Sequence, residues 1–440
     1  MTKQYRIRGG SAQEIADSVE AAIEAGALRP GQPFPSVRKL AGELNVSPGT
    51  VAAAIMALRQ RGVLVTHARS RSYVSWRPPL AAPVPVPVDI PGARDLATGN
   101  PDPALLPDLG PFLRGLDGTT QLYGGEQAHR PLLELAAAEF QSAGIPVEHL
   151  AVVGGALDGI ERALAARLRP GDLVGVEDPG YAGLVHLLRA LGLALRPIEI
   201  DERGVIPGAL EQAVDDGIQA VILTPRGQNP TGATLDSERA DALASVLGRA
   251  PEVMVIEDDH LGPIAGAPRA TAIRERKRWA AARSVSKSLG PDLRVAVLAG
   301  DPHTISQIRG RQLVGPQWVS HLLQRLVAAL WSDAATVASL QRTAEIYAER
   351  REHVIQALGR HGIDITAPAG LNVWIPVADE TTTAQALLAR GWAIAPGASY
   401  RLQAPPAIRV TVSTLQAAEA EDLVDAIASA QRPQPRTQAA

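Results

Sequence analysis

The sequence predicts an α/β protein of 440 residues with a separate helical segment at its N-terminus. Three observations lead to this prediction. Apolar residues recur at helical spacing up to residue 62, a proline-dense stretch follows, and beyond residue 95 short apolar runs alternate with Ala/Leu-rich helical segments. Such alternation is typical of a mostly parallel sheet covered by helices. We therefore expect two folded parts joined by a linker.

The composition is that of an ordinary globular protein and excludes several kinds of chemistry. Hydrophobic residues make up 46% of the chain and charged residues 20%, which is not the composition of a disordered protein. Without cysteine there are no disulfides, thiolate zinc sites or cysteine nucleophiles, and the nine scattered histidines predict no metal site. No apolar run is long enough to span a bilayer, and the first residues lack a signal-peptide core. We expect a cytoplasmic protein without a membrane partner.

The net charge of −3 conceals an uneven distribution. Residues 1–77 carry 11 Lys+Arg against 5 Asp+Glu, a balance of +6, whereas the rest of the chain carries 32 against 41, a balance of −9. A basic segment is a candidate surface for a polyanion. By itself, the charge would fit a solvated basic face equally well.

The basic segment has the pattern of a winged helix-turn-helix. Ile15, Val19 and Ile23 define one helix, Ser36 caps a second, and Ser47 starts a third that stops at Gly62. Two alternating runs after Gly62 predict a hairpin. We therefore divide the chain into a DNA-binding domain (1–76), a Pro-rich linker (77–94), a ligand-binding domain (95–431) and a disordered tail (432–440). Within the ligand-binding domain, a smaller C-terminal α+β subdomain is expected from about residue 348.

Residues 11–75 resemble the winged helix-turn-helix of GntR-type regulators, because PGQPFPSVRKLAGELNVSPGTVAAAIMALRQRGVL follows that pattern closely. The resemblance implies binding to a double-stranded DNA operator. Pro48 departs from the family, which often has Arg there, and wing arginines are expected to compensate. The DNA-contacting residues that the resemblance implies, together with the two wing arginines, are Arg38, Ser47, Gly49, Thr50, Arg69 and Arg71.

The larger part resembles fold-type I aminotransferases, and the two-part layout resembles the MocR subfamily of GntR regulators. The central motif is SVSKSLGPDLR, in which Lys287 matches the lysine that is bonded covalently to pyridoxal 5'-phosphate (PLP). Such a lysine needs an amine whose charged state is disfavoured. A surface lysine in a loop would not explain the flanking motif residues. The residues that match phosphate ligands of the family are Gly155, Ala156, Ser284, Ser286 and Arg294.

Further matches place the cofactor ring. Asp258 matches the aspartate that pairs with the pyridine nitrogen, and Asn229 matches the asparagine that hydrogen-bonds the ring hydroxyl. Tyr181 is expected to stack on the ring, although an aromatic residue after a strand is often only packing. His260 stands where the family usually has Tyr, so we expect a pH-sensitive group there. Tyr123 matches the tyrosine that reaches the phosphate of the other subunit, which implies a homodimer.

Arg409 in AIRVTVST matches the arginine that holds a substrate carboxylate, a role suited to a planar guanidinium. The main hypothesis is a regulator that senses PLP or a small amino compound through its aminotransferase-like domain. The alternative is an aminotransferase with an accessory DNA-binding domain. A DNA-binding scaffold with an inactive cofactor fold is disfavoured, because the main PLP residues are all present.

Overall fold

The computed structural model describes residues 7–24, 27–29, 31–60, 63–67, 71–74 and 92–431. Its N-terminal part forms α1 (Ala12–Glu24), α2 (Val37–Leu44), α3 (Pro48–Gln60), β1 (Leu64–His67) and β2 (Arg71–Val74). The two strands pair antiparallel, with Leu64 opposite Val74. These elements form the winged helix-turn-helix that the sequence predicts. The predicted wing tip (68–70), the linker up to residue 91 and the tail (432–440) lie outside the described residues.

Local side-chain contacts set the bounds of the short helices. The Ser36 hydroxyl accepts the N–H of Lys39 at 3.3 Å and so begins α2. Asn45 ends α2 in the left-handed conformation (φ 54°, ψ 45°), which Asn tolerates better than most residues. At the start of α3, the Ser47 hydroxyl accepts the N–H of Thr50 at 3.1 Å. The three helices and the hairpin share one apolar core, which contains Ile15, Val19, Leu40, Val51, Leu58, Leu64 and Val74.

A mixed eight-stranded sheet lies at the centre of the larger part. The first strand of this part, β3 (Arg94–Asp95), belongs to a smaller sheet. The strands of the eight-stranded sheet are β4 (Leu150–Val153), β5 (Leu173–Asp178), β6 (Ala194–Asp201), β7 (Gly204–Val205), β8 (Ala220–Leu223), β9 (Met254–Asp259), β10 (Trp279–Ser284) and β11 (Ala296–Gly300). Their order in the sheet is β4-β11-β10-β9-β8-β5-β6-β7. β5, β8, β9 and β10 are parallel, whereas β11 runs antiparallel to both of its neighbours. The parallel strands therefore end at one edge.

A helix follows directly on five of these strands, namely β4, β5, β7, β8 and β11. The helices of this region are α4 (Gly110–Arg114), α5 (Arg130–Ser142), α6 (Ala156–Ala165), α7 (Ala182–Ala190), α8 (Pro207–Asp215), α9 (Ser237–Gly248), α10 (Pro302–Leu313) and α11 (His321–Ser332). Strand–helix alternation of this kind is what the sequence predicts. Within the described ranges, no helix combines the length and the apolar character needed to cross a membrane.

The C-terminal subdomain combines α12 (Ala334–Arg360), β12 (Asn372–Pro376), α13 (Glu380–Leu388), β13 (Trp392–Ala393), β14 (Ala395–Pro396), β15 (Ala407–Thr411) and α14 (Ala417–Gln431). β12, β15 and β14 form an antiparallel sheet, while β13 pairs with β3. Leu96 accordingly belongs to the apolar core of this subdomain. Helix α12 runs unbroken through residue 348, where the sequence predicts the change of architecture. Because β3 and Leu96 belong to it, the subdomain also includes residues that precede the large sheet in the sequence.

A buried carboxylate fixes the end of β9. Asp259 is completely buried and pairs with Arg226 through two contacts, Nε–Oδ1 at 2.9 Å and Nη2–Oδ2 at 2.8 Å. Arg269 lies 3.6 Å from the same carboxylate. Burial alone would raise the pKa of Asp259, but Arg226 and Arg269 outweigh burial and hold this pKa below its usual range. Asp259 is therefore a permanent anion inside the protein.

We expect Asp259→Ala to lower the free energy of unfolding by about 3–5 kcal/mol, because it leaves buried guanidinium groups without their anion. The matched control is Asp241→Ala, since Asp241 pairs with Arg274 where both side chains are well exposed. That loss should stay within about 1 kcal/mol. Urea unfolding of both variants in the absence of PLP measures the difference, and equal small effects would contradict the role of Asp259.

Candidate cofactor site and DNA-binding surface

The predicted cofactor residues follow strand ends at one edge of the large sheet. Gly155 follows β4, Asn229 follows β8, Asp258 is the penultimate residue of β9, and Lys287 follows β10. The carboxyl ends of parallel strands share an edge, and ligands of such sheets bind there. The fold therefore brings together residues that are more than 130 positions apart in the sequence.

Lys287 is positioned by a backbone carbonyl that the sequence did not indicate. Its Nζ donates to the carbonyl oxygen of Gly99 at 2.6 Å. Burial lowers the pKa of Lys287 to about 8, and the positive charges of Arg409 and Arg294 act in the same direction. A substantial fraction of this amine is therefore neutral near physiological pH, which a nucleophilic lysine requires.

Asp258 lies beside Asp259 but in opposite electrostatic surroundings. Within the part of the chain that the structure describes, no hydrogen-bond partner reaches its buried Oδ1. Burial raises the pKa of Asp258 to about 7, and the charges of Asp259 and Glu177 add to the effect. A buried carboxylate oxygen without a donor is costly. This atom fits a ligand that brings its own N–H donor, such as a protonated pyridine ring.

His260 differs from the sequence expectation in its protonation. Burial lowers the pKa of His260 to about 4, and the neighbouring charge of Lys287 contributes. The imidazole is therefore neutral across the physiological range, and the expected pH sensitivity falls at more acidic values. A neutral imidazole still offers one donor and one acceptor nitrogen.

The N-terminus of α6 forms an anion cradle. Gly155 precedes it with φ +112°, and no side chain caps the helix there. A Cβ at Gly155 would lie 2.7 Å from Arg294 Nη2, so only glycine allows this close approach of the guanidinium to the helix end. Ser286 Oγ lies 3.4 Å from Arg294 Nη1. Unpaired helix N–H groups, including that of Ala156, together with a guanidinium and a hydroxyl suit a phosphate dianion.

Ser284 contributes to the anion cradle through a hydrogen bond to the backbone of Ser286. Its hydroxyl accepts the N–H of Ser286 at 3.3 Å, while the Ser286 hydroxyl donates to the carbonyl of Leu293 at 3.1 Å. Both serines are buried. Ser284 thus shapes the turn between β10 and Lys287, and Ser286 is the serine nearer to Arg294.

Arg409 reaches the cofactor edge from β15. The side chain is buried, and its Nη1 donates to Asn229 Oδ1 at 3.3 Å while its Nη2 donates to the Ala97 carbonyl. The guanidinium carbon lies 4.7 Å from the ring centre of Tyr400. Among the described residues nothing bonds its buried Nε, and burial lowers the pKa of Arg409. Arg409 is thus a desolvated cation that has no carboxylate partner in the part of the chain that the structure describes.

Two predicted tyrosines have different surroundings. Tyr181 is 42% exposed. Desolvation raises the pKa of Tyr181, Tyr400 and Asp258 add to this, and Arg409 and Arg294 oppose it, so Tyr181 lies within the electrostatic influence of the cofactor residues. Tyr123 is 83% exposed, and its ring lies 5.6 Å from that of Trp318. The structure does not bring Tyr123 to the other predicted cofactor residues of its own chain, which suits a residue expected to act in the other subunit.

Sequence reasoning missed four contributors to the site: the carbonyls of Gly99 and Ala97, the Tyr400 ring and Asn372, whose amide lies 3.5 Å from Asn229 Oδ1. Gly99 and Ala97 contribute only main-chain atoms, which no residue pattern reveals. Tyr400 carried no motif.

The predicted DNA-contacting residues lie on the surface of the helix-turn-helix. Arg38, Ser47 and Gly49 are exposed, and Thr50 is half-buried. The Ser47 and Thr50 hydroxyls lie 2.8 Å apart. Two predicted residues remain without a structural account: Arg69 lies outside the described residues, and Arg71 is described only as a position in β2.

The chain matches two known families. Residues 95–427 match "Aminotransferase class I and II", and residues 11–74 match "Bacterial regulatory proteins, gntR family". The vitamin B6 salvage pathway transcriptional repressor PtsJ of Salmonella typhimurium is 40% identical over 422 residues, covering 95% of this chain and 97% of that protein. The probable rhizopine catabolism regulatory protein MocR of Rhizobium meliloti is 25% identical over 419 residues, covering 86% and 81%.

Solved structures agree on the fold. A multiple substrate aminotransferase from Thermococcus profundus superposes with a TM-score of 0.72 at 19% identity, over 79% of this chain and 93% of that chain. The chain therefore belongs to the MocR-type regulators of the gntR family, with a larger part of the aminotransferase class I and II family. It is a DNA-binding transcription regulator whose cofactor is pyridoxal 5'-phosphate.

Replacing Asp258 by Asn should have opposite effects with and without PLP. A carboxyl whose folded-state pKa of about 7 exceeds its ordinary value of 3.8 loses its stabilising contribution as pH rises through 7. Cofactor-free Asp258→Asn should therefore become more stable than the wild type, by a margin that grows by about 1–3 kcal/mol from pH 5 to pH 8. With PLP bound, the wild type should be the more stable protein. Thermal unfolding at both pH values tests this, and the same ranking in both states would contradict the pairing.

Proposed function

We propose that this protein changes its affinity for a DNA operator when a small amine that carries a carboxylate, or PLP itself, binds at Lys287 and Arg409. The observation that carries the proposal is the buried Arg409 guanidinium, which has no carboxylate partner among the described residues and an unbonded Nε. The protein would act in the cytoplasm as a homodimer. Its response would be a regulatory one, with catalysis secondary.

The cofactor roles follow from the surroundings of each residue. Lys287 supplies an amine with a substantial neutral fraction for the covalent bond, and Asp258 supplies an oxygen that has no hydrogen-bond partner among the described residues for the ring nitrogen. PLP, when bound, supplies an electrophilic carbon and an electron sink. Asn229 and the neutral His260 would hold the ring oxygen, with Tyr181 at the ring face. The phosphate ligands would be Gly155, Ala156, Ser284, Ser286 and Arg294.

A carboxylate suits Arg409 for energetic reasons. A buried guanidinium is stabilised by an anion that accepts two parallel N–H bonds. Its present acceptors, the Asn229 amide oxygen and the Ala97 carbonyl, are neutral. Tyr400 supports one face of the guanidinium. An amino compound with a carboxylate would therefore bind with its amine toward Lys287 and its carboxylate at Arg409.

Exposed apolar residues support a homodimer. Tyr123 and Leu122 stand out from the surface, as do Leu313, Val314 and Leu322. Exposed apolar side chains that form one contiguous patch mark an interaction surface, and we infer that these five residues belong to such a patch. In the dimer, Tyr123 would reach the phosphate site of the partner subunit.

Transamination is the second candidate function, and one observation favours it. The lowered pKa of Lys287 and the raised pKa of Asp258, which bring both groups close to neutral pH, are also what a catalyst of proton transfer needs. The complete helix-turn-helix favours regulation, because an aminotransferase has no use for it. The two functions are separated by measuring turnover and DNA binding on the same preparation.

Arg38→Ala should weaken operator binding and reduce its dependence on salt by about one phosphate contact. The operator is obtained by selecting bound duplexes from a random pool with the full-length, PLP-loaded protein. Lys277→Ala is the matched control, because it removes an equally exposed positive charge from the larger part of the chain. Unchanged affinity and salt slope for Arg38→Ala would contradict its placement at DNA.

Arg409→Lys should abolish the response to carboxylates while PLP stays bound, because lysine keeps the charge but not the bidentate geometry. In the wild type, an effective amino carboxylate should change operator affinity by about 5- to 150-fold, the usual range for two coupled sites. The probes are PLP alone and a panel of amino carboxylates, each with its decarboxylated amine. Lys287→Ala serves as the control that removes the covalent attachment, monitored by absorption.

Two outcomes would contradict this proposal. Rapid multiple-turnover transamination with a keto-acid acceptor, without any ligand effect on DNA binding, would favour the enzyme. An equal response of Arg409→Lys and wild type to every amino carboxylate would remove Arg409 from the effector site.

A further inference from the structure

Helix α3 presents an exposed face without polar side chains. Pro48, Gly49, Ala52, Ala53 and Met56 are all exposed, and Met56 is 59% accessible. Their spacing of one, three, one and three residues places them on one side of an α-helix. The opposite side of α3, with Val51 and Leu58 among its residues, lies in the apolar core of the helix-turn-helix. The exposed face is thus a continuous strip of small apolar groups.

The polar groups at both ends of this strip are engaged within the protein. At the N-terminus of α3, Ser47 and Thr50 bond to each other through their hydroxyls at 2.8 Å, and the Ser47 hydroxyl also accepts the N–H of Thr50. In the last turn, Arg59 Nη2 donates to Ser72 Oγ in the wing at 2.8 Å. These three side chains can therefore bond to a ligand only through the donor and acceptor positions that their contacts within the protein do not occupy.

The charge around the strip argues for a nucleic acid as its occupant. Arg38 and Lys39 are exposed on the preceding helix α2, and Arg59 is exposed on α3 itself. A protein partner would need roughly 20–30 residues on each side of a stable interface. The five residues of this strip, which lie within a basic surface, are too few for such an interface. Duplex DNA supplies phosphates for the basic side chains and a groove for the helix.

We infer that α3 recognises the 5-methyl groups of thymine in the major groove of its operator, through the strip formed by Ala52, Ala53 and Met56. This inference rests on the operator binding proposed above. The thymine methyl is the one apolar group that standard base pairs present in the major groove, and alanine methyl groups contact it well. A G·C pair instead presents the N7 and O6 acceptors of guanine and the N4 donor of cytosine, polar groups that this strip would desolvate without compensation.

The test removes single methyl groups from the DNA. The full-length protein loaded with PLP is titrated with a duplex selected from a random pool, and each thymine is replaced in turn by deoxyuridine, which lacks only the methyl. At two or more positions the affinity should fall about fourfold, the factor that corresponds to one methyl group returned to water. All base-pairing groups and phosphates stay the same, so the salt dependence should not change.

Variants of Met56 assign the effect to the helix. Met56→Gln keeps the length and the helix propensity of the side chain but makes it polar, whereas Met56→Leu keeps it apolar. At one thymine the deoxyuridine penalty should disappear in Met56→Gln and persist in Met56→Leu, as a double-mutant cycle requires for contacting groups. Circular dichroism confirms that both variants fold.

Three results separate the possibilities. Binding that is indifferent to deoxyuridine at every position would overturn the inference but leave operator binding intact. A change of oligomeric state in Met56→Gln, measured by light scattering, would show that the strip is a protein contact. The absence of binding to any selected duplex would contradict the proposed function itself.

Discussion

Asp258 and Asp259 are consecutive carboxylates at the end of β9, and the cofactor site depends on the contrast between them. Asp259 is buried against Arg226 and Arg269, which keep it ionised. Its charge repels a second anion next to it, and together with burial this raises the pKa of Asp258. A lone buried carboxylate would normally be excluded from a protein interior. Here the ion pairs of Asp259 fix the strand end and hold Asp258 where it can meet a cationic ring.

The positive charges of the site also affect each other. Lys287 lies within the electrostatic influence of Arg409 and Arg294, which lower its pKa together with burial. A phosphate at Arg294 and a carboxylate at Arg409 would neutralise those charges and so raise the pKa of Lys287. Binding of either anion thus changes the amine that both must approach. Cofactor and effector would in this way be coupled through electrostatics, without direct contact between them.

Much of the site could be predicted from the sequence because its residues stand in local motifs next to strand ends. Lys287, Asp258 and Gly155 each follow a strand, and parallel strands bring their ends to one edge. The contacts that complete the site could not be predicted, since Gly99 contributes a carbonyl from 188 positions away and Tyr400 carries no motif. The pKa of His260 differs from the sequence expectation for a related reason. Burial is the main cause of its lowered pKa, and burial is a property of the whole fold.

The fold shows the same division between local and long-range information. Helix bounds follow from neighbours in sequence, such as the Ser36 cap of α2 and the left-handed Asn45 that ends it. The antiparallel direction of β11, by contrast, depends on the connection that carries Lys287 between β10 and β11. The pairing of β3 with β13 joins segments almost 300 residues apart, and no pattern in either segment indicates it.

The two kinds of DNA contact that we propose for this protein differ in range, and this difference bears on how an effector could act. Attraction between a basic side chain and a phosphate extends over a Debye length of about 8 Å at physiological ionic strength. Contact between an alanine or methionine side chain and a thymine methyl is lost when the surfaces separate by about 1 Å. In a dimer that places two α3 helices in successive major grooves, a small change in their separation would therefore remove methyl contacts and keep phosphate contacts. A ligand at Lys287 and Arg409 would then control the ratio of specific to non-specific binding, while the total affinity for DNA changes much less.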